Sequence, residues 1–262
     1  MSDDEIICLI ACLVLTALWW RWFFLAASFG DYGDFGRNRL AWVSAFVVPV
    51  LAMAGLMGAL STVASHDVRS SGLYTFFYMA MGAAWLRLVV WAAGCLDFVL
   101  GDDWIERGNP AAAICGSGLL LGAMAAFAGG NIGDGPGWWV VVFSAGLATG
   151  TMFLCLACMN LAADVVERIT VDRDVALAVR TGAFLLMAGV ISGRAVAGDW
   201  VSVDATMRDY LANVWPLLGI AVSLCVFERV FRRARLSLST SAALAAAELG
   251  YAVYCLVWAG AW

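Results

Sequence analysis

Long apolar runs, separated by short polar breaks, follow one another along the whole chain. Eight of these runs are long enough to cross a bilayer as helices, since ~20 residues span its hydrocarbon core. The predicted helices are Ile6–Phe29, Leu40–Ser65, Leu73–Leu100, Ala111–Ala128, Trp138–Ala163, Val175–Val196, Leu211–Phe231 and Ser239–Trp262. No change in composition divides them, so the pattern predicts one all-α transmembrane domain over residues 1–262.

The composition strengthens this interpretation. Hydrophobic residues make up 63% of the chain and charged residues only 13%, about half the share in a soluble domain. The acidic start MSDDEII lacks the positive region of a signal peptide, so we expect the first helix to be retained. All 15 basic residues are arginine. The absence of lysine excludes a retinal Schiff base and a P-loop nucleotide site.

The arginines predict the orientation of the helices. Nine fall in the loops after the first, third, fifth and seventh helices, namely Arg37, Arg39, Arg107, Arg168, Arg173, Arg229, Arg232, Arg233 and Arg235. Three fall in the other loops, namely Arg69, Arg194 and Arg208. Because cytoplasmic loops carry an excess of positive charge, the arginine-rich loops are predicted to face the cytoplasm and both termini to lie outside.

A polar residue followed by small residues begins several of the predicted helices. Aligning these polar residues also aligns a glycine nine positions further on, and the pairs are Asn109 and Gly118, Arg173 and Gly182, and Ser241 and Gly250. A weaker copy begins at Asn38 and has Val47 at the glycine position. The spacing predicts a two-span hairpin repeated four times in parallel, at about 1–65, 66–130, 131–198 and 199–262.

The aligned small residues predict close helix packing. Helices in a bilayer associate where glycine, alanine and serine let their backbones approach, because lipid tails are as apolar as leucine. Gly118 and Gly122 form a G-x-x-x-G motif on the fourth predicted helix. Together with Gly182 and Gly250 they predict a packing seam shared by the even-numbered helices.

The segment Glu106–Gly122, with Asn109, an alanine run and Gly118, resembles the bacterial domain-of-unknown-function 350 family. A looser match runs from Glu167 to Gly182. The resemblance implies tandem two-span hairpins in a bacterial inner membrane, without an assigned activity. It also implies an association with an ATP-grasp ligase in the cytoplasm. A homo-oligomer is compatible with it, since shorter family members need several copies to reach four hairpins.

Charges inside the predicted spans are candidates for function, because each costs at least ~2.5–3.5 kcal/mol on insertion scales. Arg180 and Glu248 both lie seven residues past the aligned starts, which places them at one depth, ~10 Å inside the arginine-rich face. We expect them to pair across the seam. Two interpretations remain open for the pair: a structural link that fixes the order of the hairpins, or the lining of a path for an ion or solute.

Two further arginines and four carboxylates are also candidates for function. Arg21 lies among tryptophans in the first helix and Arg87 lies near the middle of the third. Both are candidates for a transport path, with cation–π packing or snorkelling as the alternative for Arg21. An acidic ring at the cytoplasmic mouth is predicted from Asp97, Asp164 and Glu228, with Asp34 as a looser fourth member. Solvated salt bridges are the alternative for the ring.

Two functions therefore remain open. The first is a channel or transporter for a cation or small solute, with the four hairpins around or beside a path. The second is a non-transporting scaffold or sensor that docks a cytoplasmic enzyme through its basic loop, which contains Arg229, Arg232, Arg233 and Arg235. The same arginines are suited to contact with anionic headgroups of the lipid bilayer.

Other functions lack their sequence signals. The one histidine has no neighbouring ligand residues, and the C-x-x-C at Cys155 and Cys158 lies within an apolar run, so we expect no metal and no cofactor. No H-E-x-x-H motif and no pair of aspartates on adjacent spans is present. We therefore expect no enzymatic activity and no nucleic-acid partner.

Overall fold

The chain is described by a computed structural model over residues 1–29, 39–232 and 236–257, with side chains described for 1–18, 43–232 and 236–257. Within these ranges it forms ten α-helices and one π-helical turn at Gly101–Glu106. The α-helices are α1 Asp3–Phe29, α2 Arg39–Thr62, α3 His66–Ser70, α4 Gly72–Gly94, α5 Pro110–Gly129, α6 Trp138–Ala163, α7 Val165–Thr170, α8 Val175–Val196, α9 Val203–Val230 and α10 Leu238–Val257.

Seven of these helices are long and apolar enough to cross a membrane, counted over the described side chains: α2, α4, α5, α6, α8, α9 and α10. α1 occupies the position of the first predicted span, but its side chains beyond position 18 lie outside the described residues. Large apolar side chains are exposed on the outer faces of the bundle, including Trp91, Leu154 and Val253. Apolar surface on this scale indicates a multi-pass membrane protein.

Two predicted boundaries are wrong. The third predicted helix was expected to reach Leu100, but α4 ends at Gly94. The apolar run continues beyond this end because Phe98 and Trp104 are buried in the following turns. The seventh predicted helix was expected to begin at Leu211, but α9 begins at Val203. Its first two turns are too polar for a hydropathy signal, so the apolar run starts later than the helix.

α5 and α8 form the centre of the bundle. They are the most deeply buried of the seven spans, since 72% of the residues in the most apolar stretch of each are buried. α2, α4 and α6 pack around α5, while α6, α9 and α10 pack around α8. The helices α2, α5, α8 and α10 therefore lie in a row, with α5 and α8 in the middle.

Glycines bring the backbones of α5 and α8 into direct contact. A Cβ atom at Gly118 would overlap the carbonyl group of Gly182, and one at Gly129 would overlap that of Gly193. A Cβ atom at Gly122 would also overlap a backbone carbonyl of α8. Both glycine pairs are 64 residues apart in sequence, so the two helices run parallel and in register over ~16 Å.

The fourth glycine of the predicted seam does not take part. A Cβ atom built on Gly250 would have no atom within 4 Å. The reason is that α10 buries Ser241, Ala245, Glu248, Ala252 and Cys255. At 100° per residue, Gly250 lies about 180° around the helix from Ser241, so it faces away from α8. The fourfold repeat therefore stays a prediction. α9, the other helix of the fourth predicted hairpin, packs against α6 and α8.

The two ends of the bundle differ in charge. At one end, which we call the amino-terminal face, the Trp138 indole N–H donates to Asp4 at 2.9 Å. At the same face the backbone N–H of Asp134 donates to Asp199 at 2.8 Å. The other end carries Arg168 and the loop between α9 and α10, and we call it the arginine-rich face.

Replacing Gly118 by alanine is expected to lower the unfolding temperature in detergent, because overpacking costs about 1–3 kcal/mol. Gly250→Ala is the matched control, since it adds the same methyl group to an open surface and alanine favours helix. We expect this control to unfold at or slightly above the temperature of the wild type. Equal destabilisation of both variants, measured by circular dichroism, would contradict the backbone contact between α5 and α8.

Candidate functional site

A buried ion pair joins α8 to α9 near the arginine-rich face. The Nε of Arg180 donates to Oε1 of Glu228 at 2.8 Å, and its NH2 group donates to Oε2 at 3.1 Å. The residues are only 3% and 1% exposed. This two-point geometry makes the pair a strong, directional contact inside the apolar bundle.

The guanidinium of Arg180 also reaches α10. Its NH1 group donates to the carbonyl of Ala176 at 3.1 Å and to the hydroxyl of Ser241. Ser241 is fully buried, and its hydroxyl donates to the carbonyl of Ser237 at 3.0 Å. The Ser237 hydroxyl in turn accepts from the backbone N–H of Thr240 at 3.1 Å, as an N-cap does. Arg180 therefore ties α8 to both α9 and the start of α10.

The predicted partner of Arg180 was Glu248, and that interpretation is wrong. Side chains on a helix lean toward its N-terminus, and a long arginine also reaches toward the membrane surface. α8 begins at the arginine-rich face, so the guanidinium of Arg180 ends level with Ser241 and Glu228. Glu248 lies two helical turns beyond Ser241, ~10 Å deeper in the membrane.

A second arginine supports the buried carboxylate. The NH1 group of Arg168, on α7, lies 3.5 Å from Oε2 of Glu228, and its NH2 group lies 3.0 Å from Asp174. The other oxygen of Asp174 caps α8 by accepting from the backbone N–H of Leu177 at 3.0 Å. Asp174, Arg168, Glu228 and Arg180 thus form one chain of alternating charges, which we call the charge network.

α7 is fixed in place by the polar start of α5. The side-chain NH2 of Asn109 donates to the carbonyls of Ile169 and Thr170 at 2.8 and 3.1 Å. The side-chain carbonyl oxygen of Asn109 caps α5 by accepting hydrogen bonds from the backbone N–H groups of Ala111 and Ala112. Asn109 therefore holds both α5 and the helix that carries Arg168. Sequence reasoning singled out Asn109 as a helix start, but it did not find this link.

Glu248 lies beside the charge network without bonding to it. The residue is 9% exposed, and its Oε2 atom is buried with no hydrogen-bond partner among the described residues. It interacts electrostatically with both Arg180 and Glu228. An unpartnered carboxyl group at this depth is energetically unfavourable, so it needs an explanation other than packing.

A crevice of about 690 Å³ separates α9 from α10 at the amino-terminal half of the bundle. α8 forms its third wall. The polar lining includes Asp199, Asp209 and Asn213 near the surface, and Tyr251 on α10. On α10 the lining ends at Tyr251, and Glu248 lies one helical turn beyond it toward the arginine-rich face, outside the lining.

The predicted acidic ring is not formed by its three described members. Glu228 is enclosed by Arg180 and Arg168. Asp164 forms an ion pair with Arg232. Asp97 is exposed, and its φ of 61° marks the sharp turn after α4. Only the exposed pair of Asp164 with Arg232 fits the interpretation as a solvated salt bridge, because Glu228 is buried together with Arg180. Asp34 lies outside the described residues.

Asp103 is a buried carboxylate that sequence reasoning missed. It lies in the π-helical turn, is 4% exposed, and its Oδ1 atom is 3.1 Å from the NH1 group of Arg107. Burial raises the pKa of Asp103 above its ordinary value, and the charge of Arg107 opposes this shift. The backbone N–H of Val99 donates to the carboxylate of Asp103 at 3.2 Å, and this hydrogen bond closes the turn.

The remaining candidates fall in different places. Arg229 donates to the carbonyl of Ala162 at 3.0 Å, so it and Arg232 both bind the end of α6, where positive charge is favourable. Arg233 and Arg235 lie outside the described residues, as does the side chain of Arg21. Arg87 is half-buried in the middle of α4, apart from the charge network.

Comparisons with protein-family models, curated proteins and solved structures find no match to this chain. The resemblance to the domain-of-unknown-function 350 family therefore stays a prediction that depends on the residues around Asn109 and Gly118.

Glu228→Gln is expected to destabilise the protein strongly, because removing one partner of a buried ion pair costs about 3–5 kcal/mol. Glu248→Gln also replaces a carboxylate by an amide, two helical turns deeper in the membrane than Ser241, but it breaks no hydrogen bond. We expect its unfolding temperature in detergent to equal or exceed that of the wild type. A large loss of stability in Glu248→Gln would show that Glu248 has a structural partner.

Proposed function

We propose that this protein is a membrane transporter or channel for a monovalent cation, the proton included, and that Glu248 is the carboxylate that binds it. One observation carries the proposal: the Oε2 atom of Glu248 is buried, accepts no hydrogen bond from any described residue, and lies beside a complete ion-pair network.

The charges near Glu248 do not balance without a further cation. The charge network contains two cations, Arg168 and Arg180, and two carboxylates, Asp174 and Glu228. Glu248 adds a third negative charge. Because an uncompensated charge is costly in a region of low dielectric constant, a proton or bound cation is expected at Glu248.

A purely structural role is already filled by Glu228. That residue satisfies Arg180 with two hydrogen bonds and links α8 to α9. Placing Glu248 in the membrane costs ~2.5–3.5 kcal/mol on insertion scales, and its Oε2 atom accepts no hydrogen bond from the described residues that would offset this cost. This difference favours an ion-binding role for Glu248 over an ion pair that only fixes the order of the hairpins.

The crevice that ends at Tyr251, one helical turn from Glu248, is the proposed route of the cation. The crevice between α9 and α10 opens at the amino-terminal face, and its charged lining is two carboxylates, Asp199 and Asp209, and one guanidinium, Arg194, so that negative charge is in excess. Carboxylates at an entrance raise the local concentration of cations. The positive-inside rule places the arginine-rich face in the cytoplasm, so we propose that this crevice faces the outside of a bacterial plasma membrane.

We propose that Arg180 responds to the charge of Glu248, with which it interacts electrostatically. With Arg180 on Glu228, α8 and α9 are held together at the arginine-rich face. An ionised Glu248 attracts the guanidinium away from Glu228 and weakens that contact, while Glu228 keeps Arg168 as a second partner at 3.5 Å.

The scaffold hypothesis is less well supported. Of the four arginines proposed to dock a cytoplasmic enzyme, Arg229 and Arg232 bind the end of α6 within the molecule.

In proteoliposomes with a pH-sensitive dye or a K⁺ or Na⁺ gradient, the wild type is expected to carry a flux above that of empty vesicles. Glu248→Gln is expected to reduce this flux at least tenfold, because the amide keeps the shape but loses the charge. Glu167→Gln, an exposed glutamate at the same end of the bundle, is the control and should keep the flux. Wild-type flux no greater than empty vesicles, or full flux in Glu248→Gln, would overturn the proposal.

A further inference from the structure

A second cavity lies on the opposite side of α10 from the polar crevice. It is an apolar groove of about 290 Å³, with α2 as one wall, α5 as its floor, and α8 and α10 as the other wall. Along α2 it extends from Ala52 to Val63. Eleven residues of helix cover ~16 Å, which is about half of the ~30 Å hydrocarbon thickness of a bilayer. The groove is therefore as deep as one leaflet.

The groove and the polar crevice meet at the amino-terminal face. Ile132 and Arg194 line both of them. Leu256 of α10 lines the groove and the adjacent Cys255 lines the crevice. An apolar channel of leaflet depth thus ends where charged side chains begin, at the level expected for lipid headgroups.

We propose that this composite cavity binds one phospholipid with a zwitterionic, amine-bearing headgroup. One acyl chain lies in the groove beside α2, and the headgroup lies where the groove joins the crevice. The two cavities together carry both signs of charge, because Arg194 lines both of them and Asp199 and Asp209 line only the crevice. A phosphate followed by an ammonium group matches this order, whereas a purely anionic headgroup would meet two carboxylates.

Gly55 gives the groove its room for a hydrocarbon chain. A Cβ atom at Gly55 would have no atom within 4 Å, and the residue lines the groove. Gly58, one turn further along α2, is equally open but lies outside the lining. A Cβ atom has open space at either position, and only a side chain at position 55 would extend into the groove.

The test is native mass spectrometry of protein purified from membranes of mixed phosphatidylethanolamine and phosphatidylglycerol. The wild type is expected to retain about one phosphatidylethanolamine per chain, at least fivefold over phosphatidylglycerol. Gly55→Leu should lose this lipid, and Gly58→Leu should keep it. Asp209→Asn should lower the preference for phosphatidylethanolamine at least threefold, because it removes a charge that faces the ammonium group.

Equal lipid retention in Gly55→Leu and Gly58→Leu, or a wild-type preference for phosphatidylglycerol, would overturn the proposal. The result does not depend on transport, since Glu248→Gln leaves both cavities intact and should retain the lipid. A protein that binds the lipid but carries no cation would therefore contradict the proposed function and leave the lipid site standing.

Discussion

Backbone contact between α5 and α8 is the constraint on which the rest of the molecule depends. Helices in a bilayer gain little from hiding apolar surface, so their association relies on close packing and on weak contacts such as Cα–H···O. The glycine pairs Gly118–Gly182 and Gly129–Gly193 supply the close approach of backbones that such association needs. Because these backbones touch at the centre of the bundle, no path runs between them. The crevice of about 690 Å³ lies to one side of this contact, between α9 and α10.

The same glycines determine where Arg180 points. Residues on an α-helix are 100° apart around its axis, so Arg180 lies roughly opposite to Gly182, Gly189 and Gly193. All three glycines pack against the backbone of α5. Fixing the glycine side of α8 therefore turns Arg180 away from α5, toward α9 and α10. The central packing and the position of the buried charge are two consequences of one arrangement of residues along α8.

The sequence predicts the spans well, because apolar length alone determines them: α6 and α8 have the predicted bounds. It also identifies Gly118 and Gly182 as packing residues and Arg180 as a buried charge. It does not identify Glu228 as the partner, because that choice depends on the direction in which a long side chain leans from its helix. The positions of the Cα atoms along the sequence place Arg180 and Glu248 at one depth. The guanidinium of Arg180 lies a turn or more closer to the arginine-rich face.

The charges along α8, α9 and α10 link the proposed cation site to the contact at the arginine-rich face. In the proposed function, a cation or proton at Glu248 neutralises this carboxylate, and Glu228 is then the carboxylate that attracts Arg180. Without the cation, the charge of Glu248 competes with Glu228 for Arg180, and Arg168 remains beside Glu228 at 3.5 Å. Coulomb attraction would therefore couple the occupancy of Glu248 to the strength of the contact between α8 and α9.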